Sequence, residues 1–332
     1  MAADLPGEFE IIERFFSPLS KGVSGAFGLK DDAAVLDCEA GRDFVVTTDC
    51  LVSGVHFLAD DPPGSIAHKA FAVNGSDLAA MGAKAKAYTL ALALPKGTTE
   101  AWLIDFIQGI SAFLDRFGAA LVGGDTVATE GPLTASVTAI GTVGIGQALT
   151  RSAAKPGDAI FVSGTIGDGA LGLRAARGGL GDLPAYARAF FVDRYRRPTP
   201  RLELGHRLVG FASAAIDISD GLLADLEHIC RCSNVEARID LGHIPLSEPA
   251  KALVSGAGVD IDELISGGDD YELLFTAPPE MVGEISDLAE EIGLPISRIG
   301  VTQQRGEGQS VGTVIDENGR ELTHGEIGYR HF

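Results

Sequence analysis

The sequence predicts a mixed α/β fold of two domains. Runs rich in β-branched residues alternate with Ala- and Leu-rich runs, which favours layers of helix and sheet over a bundle or a sandwich. With 332 residues, 45% of them hydrophobic, the chain can bury about two cores. A turn signal at Lys155–Asp158 separates two strand-like runs. We therefore expect one domain over residues 1–147 and a second over residues 148–332.

Local patterns predict the individual elements in chain order. Strands are expected at 44–48, 88–94, 119–122, 134–143, 159–163, 214–218 and 271–276. Helices are expected at 65–81, 99–117, 169–176, 200–208, 222–230 and 280–291. Ser65 and Thr99 have side chains typical of helix N-caps, and Gly82 and Gly118 are typical helix stops.

Charge and composition exclude several classes of protein. The chain has 46 acidic and 26 basic residues, a net charge of −20, which is the opposite of a nucleic-acid-binding surface. No apolar stretch reaches the roughly 18 residues of a membrane span, and the acidic N-terminus is unlike a signal or transit peptide. Cys38, Cys50, Cys230 and Cys232 fit no zinc or disulfide pattern and are expected to fill cores in a reducing compartment. We expect a cytoplasmic protein without membrane or nucleic-acid partners.

Six aspartates stand out by position. Three follow strand-like runs, and ligands of open α/β sheets bind at the carboxyl ends of strands. Asp77 lies in an apolar helical run, with Asn74 on the same face and no Lys or Arg between Phe71 and Met81. Taken singly, each aspartate also fits a turn or a helix cap. The six are Asp32, Asp49, Asp77, Asp125, Asp217 and Asp220.

Clustered carboxylates indicate a divalent cation. Two carboxylates 4 Å apart repel by about 4 kcal/mol at an effective dielectric near 20, and a divalent cation removes that repulsion. Oxygen ligands without His or Cys leave Mg²⁺, Mn²⁺ and Ca²⁺ as candidates, and dispersed carboxylates completed by phosphates favour Mg²⁺.

Glycine-rich segments and one arginine suggest a phosphate ligand. Gly123 and Gly124 precede Asp125, but Gly164–Gly169 lacks the spacing of a dinucleotide loop, and no Walker A motif is present. Arg151 could face a transferring phosphoryl group or form a surface ion pair. The residues together predict ATP-dependent phosphoryl transfer.

In collinear order, these segments resemble the thiamine-monophosphate kinases, relatives of aminoimidazole ribonucleotide synthetase. The resemblance covers essentially the whole chain. Its motifs are Asp31-Asp32-Ala33, Thr47-Thr48-Asp49, His56-Phe57, Ser76-Asp77-Leu78, Gly123-Gly124-Asp125-Thr126, Thr150-Arg151-Ser152, Asp217-Ile218-Ser219-Asp220-Gly221, Gly267-Gly268-Asp269-Asp270-Tyr271 and Gly328-Tyr329.

The resemblance implies that the γ-phosphate of ATP is transferred directly to thiamine monophosphate, giving thiamine diphosphate and ADP. It also implies a fold like that of aminoimidazole ribonucleotide synthetase, several bound Mg²⁺ ions, and a homodimer whose N-terminal domains pair into a barrel. Implied magnesium ligands are Asp32, Thr47, Thr48, Asp49, Asp77, Asp125, Asp217 and Asp220. Implied nucleotide contacts are Gly124, Asp125, Arg151 and Ser219, and implied contacts to the thiamine end are His56, Asp269 and Tyr329. Catalysis is assigned to Asp49, Asp125, Arg151 and Asp217.

Two departures and two alternatives accompany this interpretation. The family usually has Gly at the position of Lys30 and Glu at the position of Asp269. A reaction like that of aminoimidazole ribonucleotide synthetase is one alternative. An acidic calcium-binding protein without catalysis is the other, although no EF-hand loop is present in the sequence.

Overall fold

The chain forms two compact units. The computed structural model describes residues 8–29, 33–37, 39–256, 258–306, 312–315 and 321–322. Unit 1 contains Met1–Leu78 and Ala83–Gly146, and unit 2 contains Ala79–Gly82 and Gln147–Phe332. Both contain helices and strands, so the predicted mixed α/β class is confirmed. The roles predicted for domains 1–147 and 148–332 stay a prediction.

Unit 1 is built on a four-stranded sheet with the order β1-β4-β2-β3. Only the β2–β3 pair is parallel. Its elements are α1 (Glu8–Ile11), β1 (Arg42–Val52), α2 (Pro63–Ala80), β2 (Lys84–Pro95), α3 (Glu100–Phe117), β3 (Ala120–Thr129) and β4 (Thr134–Gly144). A π-helical turn (Ile12–Phe16) and two 3₁₀ helices (Ser17–Ser20, Ser24–Leu29) precede β1.

Aromatic side chains join the helices of unit 1 to its sheet. The ring centroids of Phe71 in α2 and Tyr88 in β2 are 5.2 Å apart, and the Phe113 ring of α3 contacts both rings. The helices themselves approach closely, because a Cβ on Gly109 would lie 2.2 Å from the Gly64 carbonyl oxygen. This core holds α2 against the sheet and so places its side chains beside β1.

Unit 2 is built on a seven-stranded sheet with the order β11-β10-β7-β9-β5-β8-β6, in which only the β7–β10 pair is parallel. Its strands are β5 (Ala159–Ser163), β6 (Ala214–Asp217), β7 (Val235–Asp240), β8 (Leu273–Ala277), β9 (Ile296–Gln304), β10 (Gly312–Ile315) and β11 (Glu321–Leu322). Its helices are α4 (Asp168–Ala176), α5 (Ala185–Arg196), α6 (Leu202–Leu208), α7 (Leu222–Ser233), α8 (Glu248–Ser255), α9 (Ile261–Ser266) and α10 (Val282–Ile292).

Apolar clusters cover unit 2's sheet. One cluster includes Ile160, Ile216 and Leu226, and another includes Phe161, Leu204 and Phe275. The Phe161 and Phe275 rings of neighbouring strands stack 5.2 Å apart. These strands carry apolar side chains at successive positions, as strands buried on both faces do.

Two local predictions were wrong. Ser65 lies inside α2, which begins at Pro63, and its hydroxyl donates to the Pro62 carbonyl oxygen at 2.7 Å instead of capping the helix. Cys50 and Cys232 are exposed and only Cys230 is buried, so the cysteines do not all fill cores. Cys38 lies outside the described residues. Within the described part of the chain, no helix is both long and apolar enough to span a bilayer.

Candidate active site

Two carboxylates face each other in unit 1. Asp49 lies in β1, Asp77 lies in α2, and their side chains form a hydrogen bond. The Thr47 hydroxyl donates to Asp77 Oδ2 at 2.5 Å. Alternation along a strand puts Thr47 and Asp49 on the same face of β1. The structure therefore brings together three of the predicted magnesium ligands.

The acid pair perturbs its own ionisation. Burial, then the charge of Asp77 and the hydrogen bond between the carboxyl groups, raises the pKa of Asp49 from 3.8 to about 6. Repulsion between two neighbouring negative charges favours the state in which one carboxyl group keeps its proton. A cation bound between them would stabilise both ionised forms and reverse this shift.

Neighbouring polar groups hold the strand and the helix in register at this pair. Asn74 is fully buried, and its Oδ1 accepts the Asp49 backbone N–H at 3.0 Å. Its Nδ2 donates to the Ala70 carbonyl oxygen at 3.0 Å. Thr48 is turned toward β4, because its hydroxyl donates to the Val137 carbonyl oxygen at 3.1 Å. Asn74 thus joins β1 to α2 beside Asp77, with which it was expected to share a helix face.

The donor set of this pair fits magnesium. Two carboxylates and the Thr47 hydroxyl offer only oxygen atoms, and Mg²⁺ in proteins is held by one or two carboxylates plus phosphate and water. In the part of the chain that the structure describes, no group of three or more His, Cys, Asp or Glu side chains could hold a metal ion. Two carboxylates and a hydroxyl leave coordination positions that phosphate and water oxygens would complete.

Asp125 lies at the opposite edge of the same sheet. Asp49 is opposite Val137, Val137 opposite Leu90, and Leu90 opposite Gly124. Three strand spacings amount to roughly 14 Å, whereas a Mg–O bond is about 2 Å. One ion cannot bind both carboxylates within one chain. Both aspartates also lie inside their strands rather than at the carboxyl ends, contrary to the sequence interpretation.

Gly124 and Asp125 line a cavity of about 100 Å³ at the β3 edge. Its other walls are mainly apolar and include Phe16, Leu29 and Leu90. A Cβ on Gly124 would lie 2.0 Å from the Leu90 carbonyl oxygen, so only glycine fits. The cavity offers main-chain groups and a carboxylate beside an apolar wall.

His56 lies in the loop after β1. Its Nδ1 accepts the Val52 backbone N–H at 3.0 Å, and its own backbone N–H donates to the Val52 carbonyl oxygen at 3.0 Å. In the neutral ring the proton is therefore on Nε2. These bonds give His56 a part in shaping the loop.

In unit 2, Asp217, Ser219 and Asp220 lie in the connection between β6 and α7. Asp217 ends β6 and is 4% exposed, and Ser219 and Asp220 are half-buried. Asp225, which the sequence analysis missed, organises this connection. Its Oδ2 accepts the backbone N–H groups of Ser219, Asp220 and Gly221 at 3.0, 3.1 and 3.2 Å.

Asp225 is 2% exposed and lies in the first turn of α7. Burial and the charge of Asp220 raise the pKa of Asp225 to about 7, against the lowering effect of the three N–H donors. An acidic residue four positions after Gly221, at a helix start, was the sequence signal that could have revealed it.

The loop that contains Asp269 is bonded directly to this connection. The backbone N–H of Asp269 donates to the Ser219 carbonyl oxygen at 2.9 Å, and the backbone N–H of Tyr271 donates to the Ile218 carbonyl oxygen at 2.8 Å. Asp269 and Tyr271 have φ angles of 72° and 51°, and the Tyr271 hydroxyl donates to Asp269 Oδ1 at 3.0 Å. The thiamine-side candidate Asp269 thus lies beside the nucleotide-side candidate Ser219.

The glycine-rich segment Gly164–Gly169 is occupied by the protein's own carboxylate. Asp270 is 1% exposed and accepts the Gly167 and Gly169 backbone N–H groups at 2.7 and 2.9 Å. These groups begin α4, where an external phosphate would otherwise be attracted. Burial raises the pKa of Asp270, opposed by these two donors and by Arg194. The segment therefore has a structural role.

Glu272 is the centre of a buried charge network and was also missed. It is fully buried and accepts the Ser163 hydroxyl at 2.6 Å, Arg194 at 2.9 Å and Arg201 Nε at 2.6 Å. Gly164 makes room for it, because a Cβ there would lie 2.2 Å from Glu272 Oε1. A charged residue just before the apolar run of β8 was the available signal.

The remaining candidates are Arg151 and residues outside the described part of the chain. Arg151 is exposed, and its carbonyl oxygen accepts the Ser233 hydroxyl at 2.8 Å. Asp32 and Tyr329 lie outside the described residues, as does Lys30.

Comparisons with known proteins cover both units. The model for the AIR synthase related protein N-terminal domain matches residues 30–143, and that for the C-terminal domain matches residues 155–313. Thiamine-monophosphate kinase of Caulobacter vibrioides is 40% identical over 333 residues, which cover 99% of this chain and 92% of that protein.

Solved structures agree with these matches. Thiamine-monophosphate kinase from Stenotrophomonas maltophilia K279a has a TM-score of 0.82 and 43% identity, and the match covers 97% of this chain and 100% of that one. AaThiL, solved in complex with AMPPCP and TMP, has a TM-score of 0.77 and 31% identity, covering 98% and 97%. With two family domains in order and such identity along its whole length, the chain belongs to the thiamine-monophosphate kinase family of AIR synthase related proteins.

Proposed function

We propose that this chain transfers the γ-phosphoryl group of ATP to thiamine monophosphate, giving thiamine diphosphate and ADP. The observation that carries the proposal is the full-length match to thiamine-monophosphate kinases, one of which is 40% identical over 99% of this chain. The AaThiL complex with AMPPCP, an ATP analogue, and TMP supports the same pair of substrates. A cytoplasmic location accords with the use of ATP.

The reaction is a direct in-line displacement. An oxygen of the acceptor phosphate bonds to the γ-phosphorus while the bond from that phosphorus to the β,γ-bridging oxygen breaks, and ADP leaves with that electron pair. A phosphate acceptor is already ionised near pH 7, so the reaction needs neither a protein nucleophile nor a strong general base. Alignment and charge neutralisation are what the chain must supply.

Unit 1 would hold magnesium at the Asp49–Asp77 pair. Their carboxylates and the Thr47 hydroxyl form an oxygen donor set, and Asn74 fixes the backbone at Asp49. When bound, Mg²⁺ supplies positive charge to the phosphates and lowers the cost of bringing them together. The further predicted ligands, Asp32, Thr48, Asp125, Asp217 and Asp220, imply additional ions.

Other residues would bind the two substrates. Gly124 and Asp125 line the cavity at the β3 edge and are proposed to meet the nucleotide, together with Arg151 and Ser219. Arg151 supplies a cation for the transferring phosphoryl group. His56, Asp269 and Tyr329 are proposed to contact thiamine monophosphate. Catalysis is assigned to Asp49, Asp125, Arg151 and Asp217.

We propose a homodimer in which the N-terminal domains of two copies pair into a barrel. In support, β1 is an edge strand of unit 1, and it exposes Phe44 by 41% and Val46 by 62%. Long apolar edge strands are templates for pairing with a second chain. We expect Val46→Lys to give a monomer by light scattering. Ile104→Lys, on α3 where the side chain is 40% exposed, is the matched control and should remain a dimer.

An acceptor assay tests the activity. ADP release is measured with ATP, Mg²⁺ and either thiamine monophosphate or formylglycinamidine ribonucleotide. Turnover with thiamine monophosphate alone is expected, and turnover with the ribonucleotide alone would assign the chain to the aminoimidazole ribonucleotide synthetase reaction. Calorimetry should show AMPPCP binding with Mg²⁺. Tight Ca²⁺ binding without nucleotide binding would instead support a non-catalytic calcium protein.

A further inference from the structure

The Asp217–Gly221 connection holds three proposed ligand residues, Asp217, Ser219 and Asp220, on a short stretch of irregular backbone. Irregular backbone has no ladder of hydrogen bonds to fix its shape, so other partners must do so. The role of these ligands as magnesium and nucleotide contacts is part of the proposed function, on which this inference rests.

One buried oxygen supplies those partners. Asp225 Oδ2 accepts three successive backbone N–H groups, from Ser219, Asp220 and Gly221, all within 3.2 Å. Pointing three consecutive amides at a single oxygen specifies the backbone dihedral angles of the residues between them. The Cα–Cβ directions of Ser219 and Asp220 follow from that backbone. Asp225 donates its own N–H to the Gly221 carbonyl oxygen at 3.0 Å, which joins the connection to α7.

The opposite side of the connection is fixed by a neighbouring loop. Besides the bonds from Asp269 and Tyr271 to Ser219 and Ile218, a Cβ on Gly268 would lie 2.2 Å from the Ser219 carbonyl oxygen. The connection is therefore held between a carboxylate on one side and main chain on the other.

We propose that Asp225 is a positioning residue: it fixes the Asp217–Gly221 connection so that Ser219 and Asp220 meet the nucleotide and its magnesium ions. It acts through backbone amides and does not itself touch a substrate. A carboxylate that merely begins a helix would contribute to stability alone, whereas a positioning carboxylate also contributes to nucleotide affinity. The two roles differ in what a substitution changes.

The test compares Asp225 with another buried aspartate of unit 2. Asp158 is 3% exposed and accepts the Lys155 backbone N–H at 2.9 Å, so Asp158→Asn is a matched loss of charge in a turn. Calorimetry measures the Kd of AMPPCP with Mg²⁺ for wild type, Asp225→Ala, Asp225→Asn and Asp158→Asn. Thermal unfolding gives the Tm of each, and hydrogen exchange reports on the amides of residues 219–221.

We expect Asp225→Ala to raise the Kd about tenfold and to expose the three amides to fast exchange, because all three N–H groups lose their shared acceptor. Asp225→Asn, which keeps an uncharged acceptor oxygen, should raise the Kd about threefold and speed exchange partway. Asp158→Asn should lower the Tm and leave the Kd within about twofold.

An unchanged Kd in Asp225→Ala, with a Tm loss like that of Asp158→Asn, would overturn the proposal. If the alanine variant does not fold, Asp225→Asn provides the test. Unchanged nucleotide affinity or unchanged amide exchange in Asp225→Asn would also overturn the proposal. Failure of the proposed function is distinguishable, because a wild type that binds the nucleotide but does not phosphorylate thiamine monophosphate would overturn the acceptor assignment alone.

Discussion

The two units treat their inward-facing acids differently. In unit 1, burial and then the like charge of Asp77 raise the pKa of Asp49. In unit 2, three backbone amides donate to Asp225, although burial and the charge of Asp220 still raise its pKa, and two arginines donate to Glu272. A carboxylate satisfied from within the protein stabilises the fold. A carboxylate facing another carboxylate is prepared for a cation from outside.

The largest effect is expected at Glu272, whose buried charge is compensated by the protein's own arginines. Glu272→Ala should lower the free energy of unfolding by about 3–5 kcal/mol, because it removes the nearest buried counter-charge of both Arg194 and Arg201. Urea denaturation measures the change. The exposed Arg207–Glu291 pair is the control, and Glu291→Ala should leave stability essentially unchanged. Equal losses in the two variants would contradict the comparison.

The acid pair of unit 1 should respond in activity rather than in folding. Asp49→Asn is expected to reduce kcat for thiamine monophosphate by roughly 10² or more, about 2.7 kcal/mol of transition-state stabilisation, with the fold intact. Asp43→Asn is the control on the same strand, where Asp43 accepts the Gly146 backbone N–H at 2.9 Å, and it should retain near-normal turnover. Unchanged turnover in Asp49→Asn would remove Asp49 from the catalytic assignment.

The raised pKa of Asp49 makes the stability of the fold depend on pH, and this effect is smaller. The folded protein binds this proton more tightly than the unfolded chain, whose carboxyl titrates near 3.8, so the contribution to stability is complete below that pH and is lost as pH rises through about 6. Denaturation in EDTA should show that the wild type loses on the order of 1 kcal/mol of unfolding free energy relative to Asp49→Asn between pH 4.5 and 6.5. This figure allows for the partial exposure of Asp49. Added Mg²⁺ at pH 7.5 should restore the lost free energy of unfolding. A difference independent of both pH and Mg²⁺ would exclude the acid pair as its cause.

The smallest effect concerns thiols and leaves activity aside. Burial raises the pKa of the Cys230 thiol to about 12, so it stays protonated in the folded protein. Iodoacetamide should modify Cys50 and Cys232, which are exposed, before Cys230. Peptide mass spectrometry of the native and urea-unfolded protein checks the order. Early labelling of Cys230 would mean that its surroundings open readily.

Local signals predicted what depends on neighbours in sequence. Helix α3 begins after Thr99, whose hydroxyl accepts the Trp102 N–H at 3.2 Å, and ends at Gly118 with a φ of 66°, both as predicted. These positions depend on contacts within one helical turn. Helix α5 was not predicted, because its polar and apolar residues show little amphipathic separation and Pro184, which precedes it, provides no side-chain cap.

The site divides along the same line. The residue types indicated an oxygen-ligand site for magnesium and a nucleotide, and the assignment of individual site residues stays a prediction. The facing of Asp49 and Asp77 and the separation of Asp49 from Asp125 depend on strand order, which no window of sequence contains.

The sequence by itself determined the mixed α/β class, the capped helix α3 and the resemblance to a kinase family, because each depends on local pattern or on motifs in order. Only the tertiary structure decided that unit 2's sheet is largely antiparallel, that Asp225 accepts the amides of the Asp217–Gly221 connection, and that Asp270 accepts those of the glycine-rich segment Gly164–Gly169. The physical reason is that a carboxylate's role depends on which donors lie within about 3 Å of it, and chain segments distant in sequence supply most of those donors.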